Sequence, residues 1–206
     1  MAAGGQPGLA SRTYNTARGY NSTGLTSHSE SAVSIGTAAA NRLVIVGLTT
    51  LDAPSYVLRN TDTLTIGGIS ATKLITRTYS SSTAVDLWMA EVPTGTTATI
   101  AFTTSGSVNQ YELMTLSVYA AIATVYATAG TNSSTSQSVS APLNGVVVGF
   151  AAWTNGAVGG VTPDANVSNG ANVACAIGSK VPTVTGSQAV TTSGAAAIVA
   201  ASFAPL

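Results

Sequence analysis

Side chains able to do acid–base or nucleophilic chemistry are few and far apart in this sequence. The acidic residues Asp52, Asp62, Asp86, Glu91, Glu112 and Asp164 are scattered over stretches that read as strands and turns. Polysaccharide cleavage needs two carboxyl groups flanking one bond. Asp86 and Glu91 fall on opposite faces by strand parity, so the carboxylates read as surface groups. A serine hydrolase needs a histidine beside its nucleophile, and the single His28 sits in a polar N-terminal segment with no nucleophile elbow to meet. His28 also lacks a second histidine, with only Glu30 close by, which argues against a metal or general-base role. Asp164-Ala165-Asn166 and Asp52 offer oxygen ligands for calcium, but two ligands are not a site. Cys175 is the only cysteine, so no intramolecular disulfide forms, and its setting Val173-Ala174-Cys175-Ala176-Ile177 reads as a buried, inert thiol. The sequence therefore predicts no enzyme: no catalytic residue, no metal site and no cofactor.

The chemistry that remains is non-covalent. Arg12, Tyr14, Arg18 and Tyr20 recur at intervals in a segment otherwise made of Gly, Ser, Thr and Asn. Aromatic and Arg side chains concentrate binding energy at interfaces, so these four are candidate contacts with a partner surface. Trp88 and Trp153 are candidates for interface anchoring or for stacking on a ligand ring. By alternation Trp88 lies off the main core face, where it serves as an interface anchor or is capped by a loop.

These residues must be positioned by strands. Arg42-Leu43-Val44-Ile45-Val46-Gly47-Leu48-Thr49 is an apolar β-branched run, too short to span a membrane and read as a strand buried on both faces. Gly145–Ala152 repeats its character and predicts a second central strand. Gly67-Gly68 between Leu64-Thr65-Ile66 and Ile69-Ser70 is a hairpin signal, because both glycines tolerate positive φ. Val85, Leu87 and Met89 share one face and Asp86 and Trp88 the other. Pro93-Thr94-Gly95 reads as the hairpin turn into a return strand with Ile100 and Phe102 inward. Residues 111–119 alternate, with Met114, Leu116 and Val118 on one side. The Gly, Asn and Pro content from Trp153 to Gly170 indicates a long loop, and residues 174–177, 189–192 and 195–203 read as closing strands. The fold class is all-β: an antiparallel, jelly-roll-like β-sandwich over residues 31–206, preceded by an extended N-terminal arm over residues 1–30.

Composition narrows the function classes. Charged residues are 7% of the 206, seven basic and seven acidic, whereas ordinary surfaces carry roughly 25–35%. Ser and Thr make up roughly a quarter of the chain, giving a neutral, hydroxyl-rich exterior. Phosphate neutralisation needs clustered Lys and Arg, and none occur, which excludes nucleic acid as a partner. A net charge of zero removes self-repulsion and suits self-assembly or attachment to a larger body. The first residues lack the basic and apolar regions of a secretory signal peptide, no transmembrane segment is expected, and synthesis in a cytoplasm follows as the expectation.

The series Arg42-Leu43-Val44-Ile45-Val46, Leu64-Thr65-Ile66-Gly67-Gly68-Ile69-Ser70-Ala71-Thr72, Val85-Asp86-Leu87-Trp88-Met89 and Pro93-Thr94-Gly95-Thr96-Thr97-Ala98-Thr99-Ile100 resembles a β-sandwich domain of tailed-bacteriophage and prophage virion proteins. The likeness spans roughly residues 32–120. It implies a head-decoration, tail or fibre component, with the virion as its location and no catalytic residue to carry over; the low charge of this chain departs from that pattern. Two readings stay open. One is a capsid decoration or cement protein bound to the major capsid protein or other shell subunits, as a homo-oligomer with a trimer favoured, its arm tied to neighbouring subunits. The other is a tail- or fibre-associated module that binds a carbohydrate or receptor, with Trp88 or Trp153 stacked on a glycan.

Overall fold

A computed structural model describes residues 10–52, 55–79, 81–152, 158–168 and 174–206. The described residues form twelve strands: β1 (Ser11–Ser34), β2 (Leu43–Leu51), β3 (Thr61–Ile66), β4 (Ile69–Ser70), β5 (Thr72–Tyr79), β6 (Thr83–Glu91), β7 (Thr97–Tyr119), β8 (Ala121–Ala141), β9 (Val146–Ala152), β10 (Thr162–Ser168), β11 (Ala174–Lys180) and β12 (Gly186–Pro205). They build two antiparallel sheets, one ordered β4-β3-β7-β2-β6-β5 with β1 also on β7, the other β10-β11-β9-β12-β8. The all-β sandwich expected from the sequence is present. Among the described residues no helix is long and apolar enough to cross a membrane.

β2 is the centre of the first sheet, laddered to β6 on one side and β7 on the other, and all nine of its residues are buried. Its two faces serve two cores. Leu43 and Ile45 join Val85, Leu87, Met114 and Leu116 against Val148, Phe150, Ile177 and Val199 of the second sheet. Val44, Val46 and Leu48 face the other way, into a second core with Trp88, Leu64, Ile100, Phe102 and Tyr111. That second core exists because β7 folds back on itself. The rings of Phe102 and Tyr111 lie 5.0 Å apart, although nine residues of straight strand span about 30 Å. The first part of β7, with β3 and the end of β1, thus forms a further layer over β2 and β6.

This layering corrects three expectations. Residues 85–92 and 97–103 do not pair as a hairpin: β2 lies between β6 and β7, and Pro93-Thr94-Gly95 joins one layer to another. Residues 1–30 are not a free arm from Ser11 onward, because β1 is hydrogen-bonded to β7 from Ser11↔Tyr119 to Ser34↔Thr97 and runs across the expected boundary at residue 30. A ladder uses backbone groups, so a hydroxyl-rich segment poor in aliphatic side chains can join one. Part of the long loop expected over 153–170 is the strand β10. The Gly67-Gly68 turn is found as expected, with φ of +61° and +80° joining the paired Ile66 and Ile69.

The two halves of the chain repeat one plan. The first half pairs β5-β6-β2-β7-β1 and the second pairs β10-β11-β9-β12-β8, with the same order along the chain in each. The halves meet at Ala120, whose φ is +52°. Each half folds its long outer ribbon over its own central strand: Val190 of β12 presses on Gly149 of β9, whose ladder partner is Ala200, ten residues further along β12. Where the first half has β3, the second has a single bridge, Gly159↔Thr191. Asn41-Arg42-Leu43-Val44-Ile45 and Asn144-Gly145-Val146-Val147-Val148 match in the faces they bury, which sets Gly47 of β2 opposite in role to Phe150 of β9. These two touch across the sandwich: a Cβ on Gly47 would stand 2.5 Å from the Phe150 ring.

Arg42, just before β2, is fully buried and ties the layers together at one end. Its Nε donates to the Val92 carbonyl at 2.7 Å, Nη1 to Gly36 at 2.8 Å and Gly95 at 2.9 Å, and Nη2 to Thr94 at 2.7 Å. Four carbonyl dipoles thus replace the water a buried guanidinium loses. Arg42→Met should destabilise the chain by about 3 kcal/mol in urea unfolding, because those carbonyls lose their donor. Arg42→Lys, with its charge but without the planar fork, should recover less than half of that. Gly47→Ala should cost about 1–3 kcal/mol by overpacking, and Phe150→Leu in the same chain should relieve part of it; strict additivity of the two changes would exclude the contact as the cause.

Candidate functional site

Polar side chains from both sheets converge where β1 and β7 meet β10 and β11. β1 places Arg12, Tyr14 and Arg18 here; β7 adds Glu112, β10 Asp164, and β11 Cys175 and Ser179. Tyr14 is half-buried against the core between the sheets, and Ala17 follows it inward across a bulge between Tyr14 and Thr16. Burial raises the Tyr14 hydroxyl pKa, with Arg18 opposing and Asp164 and Glu112 adding to the rise. Arg18 is exposed, its Nη1 donating to Thr16 Oγ1 at 3.0 Å and to the Ala17 carbonyl at 3.1 Å.

Glu112 is the most unusual group in this strip. It is 1% exposed, and neither carboxylate oxygen has a hydrogen-bond partner among the described residues. It sits opposite Gly19 in the β1–β7 ladder, where a Cβ would lie 2.4 Å from Oε1. Only glycine there leaves room for the carboxyl. Burial pushes its pKa up to about 7. Asp164 accepts a hydrogen bond from the Ser179 hydroxyl; burial raises its pKa while Ser179 and the Arg12 charge hold it down. The Cys175 thiol, wholly buried and near Glu112, is pushed far up and stays protonated, hence unreactive. The strip holds one carboxyl whose pKa is raised toward neutrality, near a thiol that stays protonated.

A second buried carboxylate, Asp86 of β6, accepts from Thr76 Oγ1 at 2.5 Å, and burial raises its pKa against the pull of Thr76 and Lys73. The Lys73 ammonium lies 4.8 Å from the centre of the Trp88 ring and donates to the Thr61 carbonyl. Asp86 and Glu112 are therefore not the surface groups expected from their scatter in sequence; nor is Asp52, which Arg59 meets at 3.1 Å.

Of the predicted contact residues, Arg12, Tyr14 and Arg18 lie along the first part of β1, with Arg12 half-buried. Tyr20 lies in the same strand, its side chain outside the described residues, and Trp153 is outside them altogether. Trp88 occupies the face expected by parity, but that face is the second core: at 3% exposure it offers no ring to a ligand or partner. His28 is buried too, stacked on Phe102 at 4.9 Å with Tyr111 edge-on at 5.1 Å; burial lowers its pKa. Glu112, Ser179 and Lys73 were missed by sequence reasoning. The signal for Glu112 was present, as a lone acid in the alternating run where Met114, Leu116 and Val118 mark its face as apolar.

A carboxyl whose folded pKa lies above its unfolded value binds more protons when folded, so its stabilising effect is complete below the unfolded pKa and is lost as pH rises through the folded one. For Glu112 that window runs from the ordinary 4.5 to about 7. Stability should therefore fall across it by no more than about 3 kcal/mol. Asp86 and Asp164 act in the same direction, so the difference between wild type and Glu112→Gln isolates Glu112. That variant should match wild type near the lower limit and exceed it above the upper one in urea unfolding; a pH-independent difference would show that Glu112 does not titrate in this range. Comparison of the chain with protein-family models, with curated proteins and with solved structures returned no match.

Proposed function

We propose that this chain is a non-enzymatic structural protein of a bacteriophage virion, a decoration or cement subunit that binds the head shell. The distribution of charge carries the reading. Of seven basic and seven acidic residues, Arg42, Asp52, Asp86 and Glu112 are buried, which leaves an exterior even poorer in charge than the composition suggests. β8 has no charged residue in its 21 positions. A neutral surface of hydroxyls and backbone groups tolerates close packing of many copies. Weak contacts repeated by lattice symmetry then add up to firm attachment that opposes separation of shell subunits. The partners in this reading are the major capsid protein or neighbouring shell subunits, and β1, with exposed Arg18 beside half-buried Tyr14 and Arg12, is the candidate contact strand.

Glycan binding is the weaker reading because the Trp88 ring is enclosed. Immunogold labelling and peptide counting on particles purified from cells carrying the gene test the assignment. The expected result is labelling over the head surface with a fixed number of copies per particle, reduced by Arg18→Glu. Particles without the chain, or label confined to the fibres, would overturn it.

A further inference from the structure

Five strands end a sheet or lie off its main path: β4, β5, β10, β1 and β8. Four of them carry the features that keep sheet edges from pairing with other chains. β4 has two residues, β5 has Lys73 and Arg77, β10 has Pro163 and Asp164, and β1 has Arg12, Arg18 and Glu30. β8 has none of these. It runs for 21 residues without charge or proline, its exposed positions are mostly Ser and Thr, and Ile122 and Tyr126 are exposed at 42% and 52%. One side of β8 is laddered to β12 from Ala121↔Pro205 to Ala141↔Gly186; the other has no ladder.

We infer that the free side of β8 pairs with β8 of a second copy of this chain, antiparallel about a two-fold axis. This goes beyond the shell reading and stands apart from it.

Three observations select a second copy as the occupant. Antiparallel pairing about a two-fold axis sets the first arm of β8 against the second, so every cross-strand pair is uncharged. The shape is also self-complementary. β8 bends with β12 where its register shifts, around Thr131 and Ser134, which is the middle of the strand. An axis through that bend lays the first arm of each copy along the second arm of the other, the arrangement β8 already makes with β12. The size is sufficient as well: about 70 Å of strand by about 10 Å of sheet thickness covers about 700 Å² per partner, close to the usual ~800 Å².

Light scattering of the full chain over a concentration series, paired with hydrogen exchange, tests this. Wild type should show twice the chain mass, with protection of residues 121–141 that rises with concentration. Thr128→Lys with Thr135→Lys, one exposed position in each arm, should weaken the dimer at least tenfold while the far-UV spectrum keeps its strand signature. Ser27→Lys with Ser29→Lys, exposed on β1, should leave the dimer intact and controls for added charge. A wild-type monomer at every concentration, a trimer, a dimer that survives the β8 lysines, or protection rising elsewhere than in β8 would each overturn the inference. None of these readouts depends on particles, so the shell assignment stands or falls separately.

Discussion

The guanidinium of Arg42 sits where two connections meet. β2 lies between β6 and β7, so the chain leaving β6 has to cross the end of β2 to begin the overlying layer. That crossing presents its carbonyls inward, at Val92, Thr94 and Gly95, and the link from β1 adds Gly36. Carbonyls turned into a protein interior need donors. Arg is the side chain that supplies several from one rigid plane, and its charge never leaves it. One residue thus satisfies the crossing, pins two connections and fixes where β2 starts. The alternation of β2 between its two cores is set from that starting point.

Much of the strand content was legible because period-two alternation depends only on which side chains face a core. The run 43–51, its counterpart 146–152 and the Gly67-Gly68 turn were all readable from local chemistry. The layers were not. Alternation around Trp88 reports two faces, and it marks a face as apolar or otherwise, without saying what covers it. Asp86 and Thr115 share the face of Trp88 or its equivalent in β7 and look solvent-bound, yet both are buried. They are buried because β7 and β1 fold back, a long-range event with no local signature beyond the Ser105-Gly106-Ser107 stretch at the corner. The same fold-back explains β1. A segment with few aliphatic residues has too little side-chain burial to fold alone, but it can complete a ladder that already exists.

The buried acids follow from the same economy of charge. A carboxyl enclosed between sheets is tolerated when it can take up a proton or find donors. Glu112 takes the first course, and Asp86 the second through Thr76 and the nearby Lys73. The candidate site is therefore a seam between sheets, with Tyr14, Asp164 and Ser179 near a buried carboxyl whose pKa is raised.

The repeated plan of the two halves gives these local features a common cause. Two similar units facing each other would bury identical side chains against one another, and identical bulky residues cannot fill one space. Gly47 against Phe150 resolves this by making one side small where the other is large. Such divergence is necessary inside the sandwich, since a core must be packed to be stable. At the outer ribbons the requirement differs. β1 carries charge at Arg12, Arg18 and Glu30, whereas β8, its counterpart, has none. Equivalent edges under one demand, to avoid unwanted pairing, should be defended alike. That only one is defended means the two edges face different demands. The first half therefore supplies the buried carboxyl of the seam and a guarded edge, and the second an edge left open.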